Sequence, residues 1–460
     1  MSSQIEVLNP ATGLAIGTVD NASIADCLHA VDMAHDAFVP WKNTAPRVRS
    51  EILRKAFDIM IAEQEELART ITLEMGKVLS DARAEVAYAA EFFRWFSEEA
   101  VRIDGDYRRA PSGSNWLLVS CQPVGVALLA TPWNFPAAMA TRKIGPALAA
   151  GCTVVLKPAH DTPLTALAIA DILRRAGVPH GVVNVVVADP PGPAVEAMLN
   201  SGKVRKLSFT GSTRVGSLLL AQAAQHVINC SMELGGNAPL IVCADADIDV
   251  AVDGAMLAKM RNGGAACTAA NRFYVHEQVL SEFTDKFTAR MAALKLGDGL
   301  DPSTTLGPLV SRAQQQRVAD AVAGAVSRGA KVLCGGSAST EPAFGYQATV
   351  LAEVSPHDEI LQDEIFGPVA ALVSYSDEQE MLSLANNVEH GLVGYVFTQD
   401  AARGMRIAEA LETGMVGFNR GLVSDPSAPF GGVKASGIGR EGGHDGLLAF
   451  LETKYVAGNW

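Results

Sequence analysis

From Val124 onward the chain alternates short, almost wholly apolar runs with helical ones, and this alternation leaves few folds open. The apolar runs cover 124–130, 152–156, 182–187 and 204–209. The helical patterns between them cover 136–150, 162–176, 193–200 and 215–225. A strand that is apolar on both faces must be covered on both faces, as in a parallel sheet. The alternation therefore predicts an α/β fold with a Rossmann-like doubly wound sheet that takes ligands at the carboxyl ends of its strands. A second α/β set begins near Gly236, with strands expected at 239–242, 273–275, 331–334, 348–354, 369–373 and 394–398.

The remainder is read from local signals. Ser23 is a plausible N-cap for the first of several helical runs, the later ones covering 47–61, 64–73 and 80–101. Residues 107–110 and 115–122 flank a Pro-Ser-Gly-Ser turn and read as a hairpin. The tail, 447–456, reads as a short helix leading into a strand at 454–456. Exposed strand ends in hairpin and tail suit pairing with another subunit.

With 48% hydrophobic and 19% charged residues, the 460-residue chain has ample core for two or three domains of about 150 residues. Its net charge of −13 argues against a nucleic-acid partner, which needs clustered Lys and Arg. Seven widely spaced cysteines without a CxxC or Cys/His cluster support neither a disulfide framework nor a metal site. Reduced thiols, a cytoplasmic protein, no signal peptide and no membrane span are the expectations.

The stretch 231–272 carries the strongest chemical signal. Glu233 precedes the Gly235-Gly236 pair, and Cys267 follows Gly263 and Gly264. A carboxylate and a thiol, each on a Gly-bounded bend, suit a base and a nucleophile presented on loops. Nearby loop amides would stabilise the thiolate, without which a thiol of pKa about 8.5 is mostly protonated at neutral pH. Taken alone, each also has a bland reading: a cysteine is more often a small buried hydrophobe, and a glutamate a surface or capping group. Asn134, after Thr131-Pro132-Trp133, is either a helix cap or a donor to an oxyanion. In 209–216, Gly211 and Gly216 leave room for a phosphate at a helix N-terminus. Lys157 at a strand end can bond ribose hydroxyls or a phosphate. Glu364 and Phe366, held by Gly367-Pro368, suit a ribose and a flat ring. Arg142, a basic residue in an apolar helix, and Arg261, six residues before Cys267, are ion-pair partners or, near one thiol, a carboxylate clamp.

Assembled in order, these pieces resemble the NAD(P)-dependent aldehyde dehydrogenase superfamily along nearly the whole chain. The matching motifs are Thr131-Pro132-Trp133-Asn134-Phe135-Pro136, Lys157-Pro158-Ala159, Phe209-Thr210-Gly211-Ser212-Thr213, Glu233-Leu234-Gly235-Gly236, residues 262–267, Glu364-Ile365-Phe366-Gly367-Pro368 and residues 429–437. The resemblance implies Cys267 as nucleophile, Glu233 as general base, and Asn134 with the Cys267 amide as oxyanion hole. It implies a cofactor site of Thr131, Pro132, Trp133, Lys157, Ala159, His160, Gly211, Ser212, Gly216, Leu234, Glu364 and Phe366. Within the superfamily the chain looks most like the succinate-semialdehyde dehydrogenases, with Arg142, Arg261 and Ser424 matching their substrate contacts. Longer semialdehydes such as glutarate semialdehyde, a catalytically silent NADP-binding relative and a cofactor-free thiol hydrolase are the rivals.

Three positions depart from the usual pattern. Ala265 replaces a Gln or Glu, which alters packing behind Cys267. Ala269 removes a second cysteine and with it a local disulfide switch. His160 stands where NAD-preferring relatives often have an acid, which favours NADP over NAD. The implied organisation is a dinucleotide-binding domain of residues 1–104 and 124–235, and a catalytic domain of 236–432. An oligomerisation arm and tail, 105–123 and 433–460, would build a homodimer or homotetramer.

Overall fold

The computed structural model describes residues 4–460. Its first large sheet has six strands in the order Gly437–Ile438, Asn229–Glu233, Val204–Thr210, Val126–Ala130, Thr153–Lys157 and Val183–Val185. All pair in parallel except Gly437–Ile438, which runs antiparallel to the Glu233 strand. Every residue of Val126–Ala130 and Thr153–Lys157 is buried, which explains their unbroken apolar runs. From Val126–Ala130 the chain winds outward on one side to Thr153–Lys157 and Val183–Val185. It then returns to wind outward on the other side through Val204–Thr210 and Asn229–Glu233. The strand order therefore reverses between Val126–Ala130 and Val204–Thr210, and a crevice opens at such a point beyond the carboxyl ends. The turns after Ala130, Lys157, Thr210 and Glu233 all gather there.

The second sheet has seven strands: Lys331–Cys334, Thr349–Ala352, Val369–Tyr375, Ala270–His276, Ala238–Val242, Val393–Phe397 and Met415–Phe418. Only Lys331–Cys334 is antiparallel to its neighbour. The sequence reading lacked Met415–Phe418, a four-residue edge strand interrupted by Gly417. It also lacked the two-residue strands His390–Gly391, Val433–Lys434 and Gly437–Ile438. Pairs that short carry no periodicity, and tertiary contacts alone define them.

A third sheet corrects the expectation about exposed strand ends. The tail strand, Leu451–Gly458, pairs along its whole length with Trp116–Pro123 of the same chain, and Asp106–Arg109 completes the sheet. Hairpin and tail thus satisfy each other, leaving the outer edges of Asp106–Arg109 and Leu451–Gly458 unpaired within the chain. Ser23 caps Ile24–Lys42 in a reciprocal capping box with Asp26. Among the described residues, no helix is long and apolar enough to cross a membrane.

The helix Pro136–Ala150 is buried on all sides, yet it carries two adjacent cations, Arg142 and Lys143. Its first turn is held by a carboxylate from another helix: Glu85, in Leu79–Glu99, accepts from the Ala137 and Ala138 amides at 2.9 and 3.2 Å. A negative charge at a helix N-terminus satisfies free N–H groups and the helix dipole together. Lys77 closes this arrangement, donating to Glu85 at 2.5 Å and to the Asn134 carbonyl at 2.8 Å. Both side chains are essentially inaccessible, at 1% and 0% exposure. Glu85→Ala strands a buried ammonium and two amides and should cost about 3–5 kcal/mol. Thermal or urea unfolding measures this; a loss below about 1 kcal/mol would contradict the assignment.

Candidate active site

Glu233 ends its strand 2% exposed, and neither carboxylate oxygen has a hydrogen-bond partner. A buried, unpartnered carboxylate resists ionisation. Burial and the charge of Glu441 hold Glu233 well above the usual carboxylate range, against the opposing pull of Arg142 and Lys143. Glu441 shows the reverse. Burial works against its charge, but Lys143 and Arg142 outweigh that and keep it below the ordinary value. Arg142 Nε lies 2.6 Å from Glu441 Oε2, and Lys143 donates to Oε1. The two buried cations thus have one committed anion, and Glu233 is left as the carboxylate free to exchange a proton.

Cys267 follows a tight bend, Arg261–Gly264, in which Asn262, Gly263 and Gly264 all have left-handed backbone, with φ of 59°, 60° and 78°. Asn262 holds that conformation by bonding the Asn134 and Ala265 carbonyls, each at 2.8 Å, while its amide donates to Asp81. Gly264 is needed because a Cβ there would lie 2.2 Å from the Gly367 oxygen. Gly236 is needed likewise: its Cβ would lie 2.2 Å from the Cys267 oxygen. The bend after Glu233 and the loop of Cys267 therefore touch, as the sequence reading requires of a base and a nucleophile.

The expected stabilised thiolate is not what the isolated pocket provides. Burial pushes the partly accessible Cys267 thiol up to about 12. Arg142 and Arg261 pull it down, while Glu364 and Glu233 push it up, so all four charges surround the sulfur. Desolvation outweighs the two guanidinium groups because carboxylates offset them.

For Asn134, the structure excludes the helix-cap reading. The cap of Pro136–Ala150 is Phe135, without a side-chain bond, and Glu85 supplies the acceptor instead. The Asn134 side chain turns toward the nucleophile loop, where Nδ2 donates to Ala265 O at 3.1 Å. Its second N–H has no hydrogen-bond partner among the described residues.

Across the crevice lie the residues expected to hold a dinucleotide. The Thr131 amide donates to Lys157 O, which locks two strand ends together. Pro132 leads to Trp133, whose ring meets Phe366 edge-on at 5.2 Å and 88°. Lys157 is 7% exposed, and burial lowers its ammonium to about 8. Ala159 is buried, and His160 is half exposed with Nε2 3.9 Å from Asp161. Ser212 caps Thr213–Ala224, whose first turn opens to solvent. The bare face of Gly216 receives Leu234 Cδ2, where a Cβ would sit 2.4 Å away, and Gly211 faces its own chain's Phe209 ring. These glycines admit packing against the sheet rather than room for a phosphate, and it is the helix end at Ser212 that is exposed. Glu364 approaches the Gly236 amide at 3.5 Å, and burial raises its carboxyl to about 7. His390 Nε2 lies 3.4 Å from Thr213 Oγ1, while its buried Nδ1 and Thr210 Oγ1 have no partner. Carboxylate, ammonium, helix terminus and unused polar atoms on one crevice fit a ligand rich in hydroxyls and phosphates.

On the other side of Cys267, Arg261 donates to Ser424 Oγ at 3.4 Å. Its guanidinium lies over the Phe135 and Tyr88 rings, at 4.9 and 5.5 Å. Arg142 lies over Phe430 at 4.2 Å and is already paired with Glu441. The sequence reading did not single out Lys77, Glu85, Tyr88, Lys143 or Glu441. Two adjacent cations in an apolar helix were the visible signal for a buried anion, but its position was not.

Comparison with known proteins gives a concordant answer. The aldehyde dehydrogenase family profile matches residues 1–456. A succinate-semialdehyde dehydrogenase of Paenarthrobacter nicotinovorans is 52% identical over 441 residues, covering 96% of this chain and 98% of that protein. A glutarate-semialdehyde dehydrogenase of Pseudomonas aeruginosa is 46% identical, covering 98% of this chain and 93% of that protein. A crystal structure of an E. coli NADP-dependent enzyme superposes with a TM-score of 0.98 at 45% identity, covering 100% of this chain and 95% of that one. Sequence, fold and site geometry agree over one continuous length: the chain belongs to the aldehyde dehydrogenase family.

Proposed function

We propose that the protein oxidises succinate semialdehyde to succinate with NADP. The observation that carries this reading is the pairing, beside Cys267, of an arginine with a serine hydroxyl: Arg261 and Ser424. Arg261 forms no ion pair of its own among the described residues, so it is available to a substrate carboxylate. Charged hydrogen bonds of this kind contribute about 1.5–3 kcal/mol each. Arg142, tied to Glu441, stands behind them. The names of the relatives from P. nicotinovorans and P. aeruginosa agree with a semialdehyde bearing a distal carboxylate.

In this reading the Cys267 thiolate attacks the aldehyde carbon, and the Asn134 amide and the Cys267 N–H receive the oxyanion. NADP, when bound, accepts the hydride. Lys157 and Glu364 would hold its ribose hydroxyls, Ser212 with its helix end would meet the pyrophosphate, and Trp133 would support Phe366 beside the nicotinamide. Glu233 then takes a proton from water, which attacks the thioester and releases the acid and the Cys267 thiol. The absence of an acid at His160 and the description of the E. coli neighbour favour NADP over NAD. Seven unpaired thiols suit a cytoplasmic enzyme, and the three-stranded sheet with exposed Tyr107, Tyr455 and Trp460 suits a homo-oligomer contact.

Steady-state kinetics with succinate semialdehyde, glutarate semialdehyde and butanal, each with NADP and NAD, tests the reading. The highest kcat/KM should fall on succinate semialdehyde with NADP. Arg261→Ala should raise KM for the two carboxylated aldehydes at least about tenfold and leave butanal nearly unchanged. An equal effect on all three would count against the clamp.

A second expectation concerns pH. Burial and the Glu233 carboxylate both oppose ionisation of Cys267, so thiolate is scarce at neutral pH and grows as pH rises. In the cofactor-free enzyme, alkylation of Cys267 by iodoacetamide should inflect well above about 8.5. Glu233→Gln removes one opposing charge and should move the inflection down. An inflection at or below the ordinary thiol value in the wild type would contradict this.

A further inference from the structure

Tyr88 lies on Leu79–Glu99, one turn beyond Glu85, which anchors the Asn134 helix. Its ring is fixed edge-on against Phe92 at 4.9 Å. The Arg261 guanidinium lies over that ring at 5.5 Å. The charges of Arg142 and Arg261 and the Ser424 hydroxyl all favour the phenol's anion, which puts the hydroxyl in the neighbourhood of all three. A single phenol thus stands among all three side chains expected to hold the distal carboxylate.

Of the two guanidinium groups, one already faces a protein carboxylate through its Nε. Arg142 is 1% exposed, faces Glu441 at 2.6 Å and covers Phe430. Its terminal nitrogens do not contact Glu441, and one donates to Met139 Sδ at 3.2 Å. Arg261 and Ser424 form a weak 3.4 Å contact with each other, and both retain donors. A carboxylate has about four acceptor sites, more than these two side chains fill. A further neighbour that can donate is the Tyr88 hydroxyl. Burial keeps that phenol protonated, although Arg142 and Arg261 favour its anion.

We propose that Tyr88 is a further specificity-determining residue, whose hydroxyl donates to the distal carboxylate of the substrate alongside Arg261 and Ser424. This rests on the reading of the substrate as a carboxylated semialdehyde. The phenol also gives Arg261 a π-face that holds its guanidinium toward the pocket, and the ring alone keeps that contact. Hydroxyl and ring therefore have separable effects. Removing the hydroxyl leaves the ring contacts to Phe92 and Arg261, so Tyr88→Phe preserves the local packing.

The test measures kcat and KM of wild type and Tyr88→Phe for succinate semialdehyde and for butanal, which has the same carbon count and no carboxylate. Inhibition by succinate and thermal unfolding are recorded for both proteins. Tyr88→Phe should raise KM for succinate semialdehyde, and the inhibition constant for succinate, at least about tenfold. Its kcat, its butanal kinetics and its unfolding temperature should stay close to wild type. Equal losses for both aldehydes, or no change for either, overturn the role of Tyr88. If Tyr88→Phe proves unstable, Tyr88→His keeps a ring and a donor and should retain part of the preference for succinate semialdehyde. Failure to retain any would also count against the assignment. A wild type with no preference for succinate semialdehyde over butanal would instead overturn the substrate reading, and the Tyr88 assignment with it. A preferring wild type with an unaltered Tyr88→Phe sinks the Tyr88 assignment alone.

Discussion

Three ionic groups share the closed interior next to the catalytic loop: Arg142, Lys143 and the carboxylate of Glu441. Burying two cations on one fully enclosed helix costs far more than that helix's packing can offset unless an anion is buried with them. Glu441 meets that need, and by doing so it secures the segment after Gly437–Ile438 against the first sheet. The Glu441 backbone also pairs with that of Phe430, whose neighbour Gly431 lies so near Glu233 that a Cβ there would be 3.0 Å from its Oε1. The enclosure of Glu233 is therefore a consequence of where Glu441 must sit. Because the cations are matched by Glu441, Glu233 has burial and a like charge around it and no full counter-ion. A carboxylate so placed holds its proton more tightly than an ordinary one.

The nucleophile loop is shaped by contact rather than by charge. Gly236 and Gly264 mark two points where backbone meets backbone too closely for any side chain. One pins the loop to the bend after Glu233, and the other pins it to the turn that carries Glu364 and Phe366. Asn262 ties it to the Asn134 carbonyl, which Lys77 also holds. Three segments far apart in sequence thus fix one sulfur. Its charge environment is balanced, two arginines against two glutamates, and burial tips that balance toward the neutral thiol.

Much of this was legible in the sequence because local physics wrote it there. Continuous apolar runs such as 124–130 could only be strands covered on both faces, and Ser23 was a recognisable helix start. Glu233 and Cys267 stood out because glycine pairs beside them serve no packing purpose within their own segments. What stayed hidden depends on partners distant in the chain. Lys143 and Glu441 are separated by 298 residues, and nothing local to either announces the other. Tyr88 sits in an ordinary amphipathic helix and gains meaning only from the loops that fold over it. The edge strand Gly437–Ile438 is two residues long, and the tail pairs with the hairpin of its own chain. The thiolate expectation failed for a related reason: loop amides are visible in a sequence, whereas the desolvation of a closed pocket is a property of the whole fold.

The central claim is that one sulfur carries the acyl group while Glu233 governs its release. It is tested most directly by trapping that state in Glu233→Gln. The variant would be mixed with succinate semialdehyde and NADP, quenched in acid within a turnover, and mapped by peptide mass spectrometry. A succinyl group on Cys267, with one equivalent of NADPH formed per site and little further turnover, is the result this account requires. Label on another cysteine, no covalent adduct, or hydrolysis as fast as in the wild type would contradict it.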